Sequence, residues 1–417
     1  MKRVAIVVVA AAMQFDAPVV GEAGSEVRGP GGRVLPMFAV GPDAVGIEVR
    51  RVPGGGIQPR VVAGDDGTVH LLCFRGEPAA GDLFYARSAD DGRSWSEPLR
   101  VNSTPGSAVA AGTIRGGRIA LGRGGRVHVA WNGSSRVADS RGAPMLYSRL
   151  DAEGKEFEPE RDVKRRTRSL DGGGCVAADR AGNVFVVWHA NDLRKPATGG
   201  TGGGEPEADG EGARAVWVTR SSDDGATFAT ETRANTKDTG ACGCCGLEAF
   251  VDRDARLWVL YRAATRVLGR DLHLLASTDR GVNFRSRELD TWSVPKCVMS
   301  LAAFSDGPRG LLATWETEGQ VFVGSVGSID ERPVARAAMP GAAKGRRHPA
   351  IAVNSRGETL VVWSEGTGWN RGGALAWQLF DRDGAAVADR TGRRDGLAVW
   401  SFPAAFASRD GSFVILH

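Results

Sequence analysis

The sequence predicts an all-β protein: a single propeller of four-stranded blades, seven favoured over six, with its ring closed by strands from both termini. Three observations carry this prediction. An eight-residue turn motif occurs three times along the 417 residues. A strand–turn–strand pattern recurs seven times at a spacing near fifty residues, as blades do. No helix-length amphipathic stretch stands out, and 58 glycines suit a chain of many hairpins.

The turn motif is Ser-x-Asp-x-Gly-x-(Ser/Thr/Asn)-aromatic. It runs Ser88, Asp90, Gly92 to Trp95, then Ser221, Asp223, Gly225 to Phe228, and again Ser277, Asp279, Gly281 to Phe284. Each part has work to do in a tight hairpin. The Asp carboxylate accepts from N–H groups across the turn, and Gly supplies a positive φ. The Ser hydroxyl adds a local bond, and the ring folds back towards the core. The motif resembles the Asp box, the repeated turn of sialidases and related β-propellers. It is a structural device, so the resemblance implies fold before chemistry.

The longer repeat orders the rest of the chain. It begins as VVAGDDGTVHLLC, Val61 to Cys73, and ends as AFASRDGSFVILH, Ala405 to His417. Its last positions are Cys73, Trp131, Trp188, Tyr261, Trp315, Trp363 and His417, spaced 48 to 73 residues apart. Period-two alternation within each copy argues for strands. In the first unit, strands are expected near Arg60–Ala63, Thr68–Phe74, Leu83–Arg87 and Trp95–Val101. The seventh unit stops after its second strand, so Met37 to Val52 is expected to supply that blade's two missing strands and remove the open edge.

The ends and one insertion read differently. Met1-Lys2-Arg3 followed by the apolar run Val4 to Met13 has the form of a secretory signal peptide, too short to span a bilayer. Residues 1–20 are therefore expected to be signal peptide and leader, 21–35 a flexible segment, and 36–417 the propeller domain. The expected location is secreted or periplasmic. The Gly-rich stretch within 195–212 reads as a mobile surface loop. Against 53 basic residues stand 49 acidic ones, a net +4 that gives no reason to expect nucleic acid or a membrane as partner. A monomer is expected.

Strand direction sorts the loops. The repeated turns join strands three and four on one rim, so a ligand is sought on the other, near the axis. There the lead-in segments carry Arg60, Arg115, Arg118, Asp171, Glu248, Arg346, Arg347 and His348. The outer loops add Asn132, His189, Asp192, Arg266, Arg270, Glu316, Glu365, Trp369 and Arg371. Guanidiniums with aromatics suit a carbohydrate or other small anionic ligand, since the fork matches a carboxylate. Arg60, Arg115, Arg118, His348, Trp369 and Arg371 are the expected ligand-binding residues, and rim loops are polar without any ligand too. If the protein is an enzyme, the resemblance implies a glycoside hydrolase. The family's sialidases use a late-blade Tyr nucleophile, whereas this chain has only Tyr85, Tyr147 and Tyr261, all inside early or middle strands. Sialidase activity is therefore not expected. A carboxylate pair drawn from Glu248, Asp171 and Glu365 would be the catalytic alternative.

Five cysteines converge on the same rim: Cys175, Cys242, Cys244, Cys245 and Cys297. Cys73 belongs to a strand. Disulfides are the default in an exported protein. A soft-metal site for Zn or Cu and free thiols are the alternatives. Cys175 and Cys297 are expected within reach of the Cys242–Cys245 cluster. Two readings stay open. One is a sialidase-like propeller that binds carbohydrate, with or without hydrolysing it. The other is a non-catalytic binding propeller with a cysteine-lined site.

Overall fold

Alternating apolar residues between Gly- and Asp-rich turns give short antiparallel strands, and these form seven sheets. The computed structural model describes residues 46–168, 170–194, 210–264, 269–294, 296, 298–331, 335–338 and 345–417. The signal-peptide, leader and flexible-segment expectations, most of the Gly-rich loop, Arg266 and Cys297 lie outside the described residues. Val45–His417 forms one unit.

Blade 1 follows the expected pattern: Ile57–Ala63, Val69–Arg75, Asp82–Ser88 and Leu99–Arg100 pair in that order. The innermost strands of the next five blades are Arg118–Leu121, Cys175–Ala178, Glu248–Val251, Ala302–Gly307 and Arg346–Val353. Blade 3 carries an extra strand, Thr167–Arg168, against the far end of its second. Among the described residues no helix is long and apolar enough to cross a membrane.

Blade 7 joins both ends of the described chain: Ala404–Ala407, Phe413–Leu416 and Ile47–Arg50. It differs from the expected pair of added strands. One strand, Ile47–Arg50, is described, and it runs parallel to Phe413–Leu416. The direction has a physical reason. The strand must deliver the chain to the inner strand of blade 1, as every fourth strand does for the next blade. Lying directly beside the second strand, it is parallel to it.

The core lies between blades. Leu72 and Phe74 face blade 2 with Ile119, Val129 and Trp131, while Leu71 and Cys73 face blade 7 with Phe406 and Val414. Corresponding clusters link blades 2 and 3, 3 and 4, 4 and 5, 5 and 6, and 6 and 7. Strand alternation thus sends successive side chains into two different interfaces. Each fully buried aliphatic chain there contributes about 1.5–3 kcal/mol.

The three repeated turns have one hydrogen-bond pattern. Ser88 Oγ donates to Asp90 Oδ1 (2.7 Å) and accepts from Gly92 N–H (2.8 Å); Asp90 accepts from Ser94 N–H (2.8 Å) and Oγ (2.6 Å). Ser221, Asp223, Gly225 and Thr227 repeat it. In the third copy Asn283 Nδ2 replaces the hydroxyl, donating to Asp279 Oδ2 at 2.7 Å. The chain needs positive φ at two successive residues here, 57° at Asp91 and 74° at Gly92, and glycine makes the second inexpensive. Phe228 and Phe284 are buried, and Trp95 is partly so. These turns meet the turns between strands one and two, as where Asp224 N–H donates to Gly182 O (2.9 Å).

Candidate functional site

On the opposite rim, one register position of the innermost strand carries the chemistry. Arg60 pairs with Leu72, Arg118 with Ala130, Cys175 with Val187 and Glu248 with Leu260. Ala303, Ala350 and Ala404 hold the same position in blades 5 to 7. This position is thus polar in four consecutive blades and alanine in three.

The polar half is compact. Arg118 Nε lies 3.6 Å from Glu248 Oε2, Arg60 Nη1 lies 4.0 Å from it, and Cys175 Sγ lies 3.6 Å from Glu248 Oε1. Arg60 also stacks on Phe402, 4.5 Å from the ring centre. The Arg118 side chain is 2% exposed, those of Arg60 and Glu248 15% and 17%. Two guanidiniums therefore share one carboxylate, and Nε and Nη2 of both arginines are buried without a hydrogen-bond partner. Burial, then the neighbouring Arg118, bring the Arg60 guanidinium down to about 10, still charged at neutral pH. Burial, then Glu248, push the Cys175 thiol up to about 12, so it stays a thiol.

Beside the axis lies a cleft lined by Thr113, Met299, Arg347, His348, Arg371 and Trp400. Its mouth carries Trp369, 58% exposed and edge-on to Trp400 with ring centres 6.1 Å apart. Six non-glycine residues with positive φ cluster around it: Gln58, Thr113, Met299, His348, Asn370 and Trp400, between 45° and 64°. Such strain persists only where surrounding bonds fix it. Gln58 Nε2 donates to Ala110 O (2.6 Å) and Trp400 O (2.8 Å), and His348 N–H donates to Glu316 Oε2 (2.7 Å). Burial, then Arg347, hold the His348 imidazole down at about 3, hence neutral, and burial raises the Glu316 carboxyl.

The other expected residues serve the scaffold. Asp171 is held by Arg115 (2.5 Å) and faces Arg214 (3.8 Å); Glu365 faces Arg346 (3.5 Å) and Arg393 (3.4 Å) and accepts from Trp363 Nε1 (2.9 Å). Glu248, Asp171 and Glu365 thus belong to three separate ion-pair sets. Asn132 Oδ1 accepts from Gly174 N–H (3.0 Å), Asp192 pairs with Arg166 (2.8 Å), and His189 Nε2 meets Cys245 O (3.1 Å). The tyrosines are structural. Tyr85 and Tyr147 bond the buried His70 and His128 (2.8 and 2.7 Å), and Tyr261 bonds Thr239 (2.8 Å).

Gln58, Thr113, Met299 and Trp400 escaped the sequence reading. A signal for one existed: Gln58-Pro59 and His348-Pro349 sit at matching irregularities of the blade 1 and blade 6 inner strands.

The cysteines divide. Cys242, Cys244 and Cys245 place their sulfurs within 4.8 Å of one another. Cys175 stands apart from them, a departure from expectation. It is paired inside its strand and turned to Glu248, whereas the other three precede the Glu248 strand. Cys73 lies in the core between blades 7 and 1.

No protein-family profile matches the chain, and no curated protein matches it in sequence. Solved structures do resemble it. A Dyadobacter fermentans protein of unknown function aligns at TM-score 0.50 with 12% identity, over 85% of this chain and 97% of that one. The α-L-arabinanase of Penicillium chrysogenum, solved with arabinobiose, aligns at 0.50 with 14% identity, over 80% and 96%. A Hadza microbial sialidase aligns at 0.48 with 14% identity, over 79% and 69%. At such identities the likeness is one of fold alone, that of a β-propeller, which the sequence repeats predicted.

Proposed function

We propose that this protein binds a carboxylate-bearing carbohydrate, of the uronate or sialate kind, on the axial rim, and does not cleave it as a sialidase does. The observation that carries the reading is the pair of buried guanidiniums, Arg60 and Arg118, sharing the single carboxylate of Glu248. A buried charge without a partner is costly, and a ligand carboxylate would supply the missing one with bidentate geometry. Trp369 with Trp400 offers flat apolar faces beside the cleft. The likeness to an arabinanase propeller supports a sugar as the class of ligand. We take the repeated turns to be Asp boxes and the N-terminal apolar run to be an export signal.

Against hydrolysis stands the chemistry of what is left. Every tyrosine is committed inside a sheet, and Glu248, Asp171 and Glu365 are each held by arginines, so none stands free to protonate a glycosidic oxygen.

Calorimetry with an oligogalacturonate, a sialyl-oligosaccharide and neutral arabinobiose tests the proposal. At least one acidic sugar should bind and the neutral one bind far more weakly. Arg60→Gln should weaken the acidic ligand about 10–100-fold, equivalent to a charged hydrogen bond of about 1.5–3 kcal/mol. A fluorogenic sialoside should show no turnover. Equal binding of neutral and acidic sugars, or robust turnover abolished by Glu248→Ala, would overturn the reading.

A further inference from the structure

Three thiols that the sugar site does not use meet in one loop. Cys242 Sγ lies 2.7 Å from Cys245 Sγ and 3.5 Å from Cys244 Sγ. The loop is shaped by its backbone. Cys245 N–H donates to Cys242 O (3.3 Å), and Cys242 N–H donates to Arg262 O (2.9 Å) in blade 4. Gly243 N–H donates to Glu211 Oε1 (2.7 Å), and Arg270 Nη2 donates to the other oxygen of Glu211 (2.6 Å). Trp292, Val294 and Val298 pack against Cys242 and Cys245, giving a dry floor, and Cys244 is partly buried beside them.

We propose that this loop binds one thiophilic metal ion, Cu(I), through the sulfurs of Cys242, Cys244 and Cys245. An ion bonded to three thiolates at about 2.3 Å holds them about 4 Å apart, so side-chain rotation alone brings these sulfurs into place. Thiolates select soft ions over hard ones. Cu(I) is among the soft ions that thiolates select, and the three sulfurs supply the donors of a three-coordinate site. Charge agrees with this. Three thiolates around Cu(I) carry a net −2, and two guanidiniums flank the loop: Arg262, stacked 4.9 Å from the Trp292 ring centre, and Arg270. On binding, three S–H bonds break, three protons leave to solvent, three Cu–S bonds form, and copper keeps its oxidation state.

The test uses the full chain, reduced and anaerobic, titrated with Cu(I) against a chromophoric Cu(I) chelator and separately challenged with Zn(II). One Cu(I) per chain should be taken up, with proton release, and Zn(II) should not displace it. Cys245→Ser should lose the ion. Cys244→Ser, the least buried position, should weaken binding at least about 10-fold while melting like the wild type. Cys73→Ser should bind normally. Absence of stoichiometric uptake, displacement by Zn(II), or unchanged affinity in Cys244→Ser would overturn the proposal. None of these readouts involves a sugar, so this site stands or falls apart from the axial one.

Discussion

The smallest unit that explains itself is the turn carboxylate. The Ser221 hydroxyl first, then the Thr227 hydroxyl and N–H, hold the Asp223 carboxyl at about 2, below its ordinary 3.8; Asp279 is held at about 2 by Asn283. A depressed folded pKa stabilises above the unfolded value, and the contribution fades as pH falls through the folded one. The melting temperature should therefore fall on acidification from about pH 4 to pH 2. Both carboxylates are exposed, so solvent screening keeps each below about 1 kcal/mol. Asp223→Asn should keep an acceptor and flatten part of the acid slope, with sugar affinity unchanged, because the turns lie on the rim away from the arginines. A wild-type slope in melts of Asp223→Asn would show that these bonds are not its source. Here sequence and structure agree closely, since the bonds that the Ser and Asp side chains make are local to eight residues.

Within an element, the large residue ending the second strand was equally legible, and its polar partner was not. Trp131 and Trp188 fill the same blade position, both fully buried. Trp188 Nε1 donates to Thr167 Oγ1 (3.0 Å), whereas the Trp131 indole N–H has no hydrogen-bond partner. Replacing either with Phe removes the same volume, so the difference isolates the hydrogen bond. Trp188→Phe should cost about 1 kcal/mol more than Trp131→Phe in denaturant unfolding. Equal costs would mean that the Thr167 bond contributes nothing. Period-two alternation found the strands because it depends on neighbours in sequence. Arg60, Arg118, Cys175 and Glu248 were legible as lead-in residues of one rim but not as one ion-pair set, because they meet only once four blades are in register. Each is a single polar residue at a strand start, indistinguishable in sequence from Asp171 or Arg346, which the fold uses as braces.

For the molecule as a whole, stability rests on the ring being closed, and one four-residue strand closes it. Ile47 and Val49 face the interface of blades 6 and 7, and Glu48 and Arg50 point the other way. The strand is tied to both neighbouring blades. Arg394 Nη1 donates to Val49 O (3.0 Å), and Arg50 Nη1 donates to Asp91 O (2.9 Å) in the first repeated turn. Without it, Phe413–Leu416 would present an unpaired edge, a template for association with other chains. Sequence counting located this closure but missed its parallel direction, because direction depends on which strand position is filled. Val49→Asp places a carboxylate against that apolar interface, at a cost of about 2 kcal/mol or more from lost burial and desolvation. At about 2–4 °C per kcal/mol for a large domain, the melting temperature should drop by about 5 °C or more, with aggregation on heating. Glu48→Ala is the control, since its ion pair with Arg50 is exposed and such pairs contribute little. If Val49→Asp melted like Glu48→Ala, the ring would be held by the blade interfaces alone, and the strand would be an ornament on an already closed propeller.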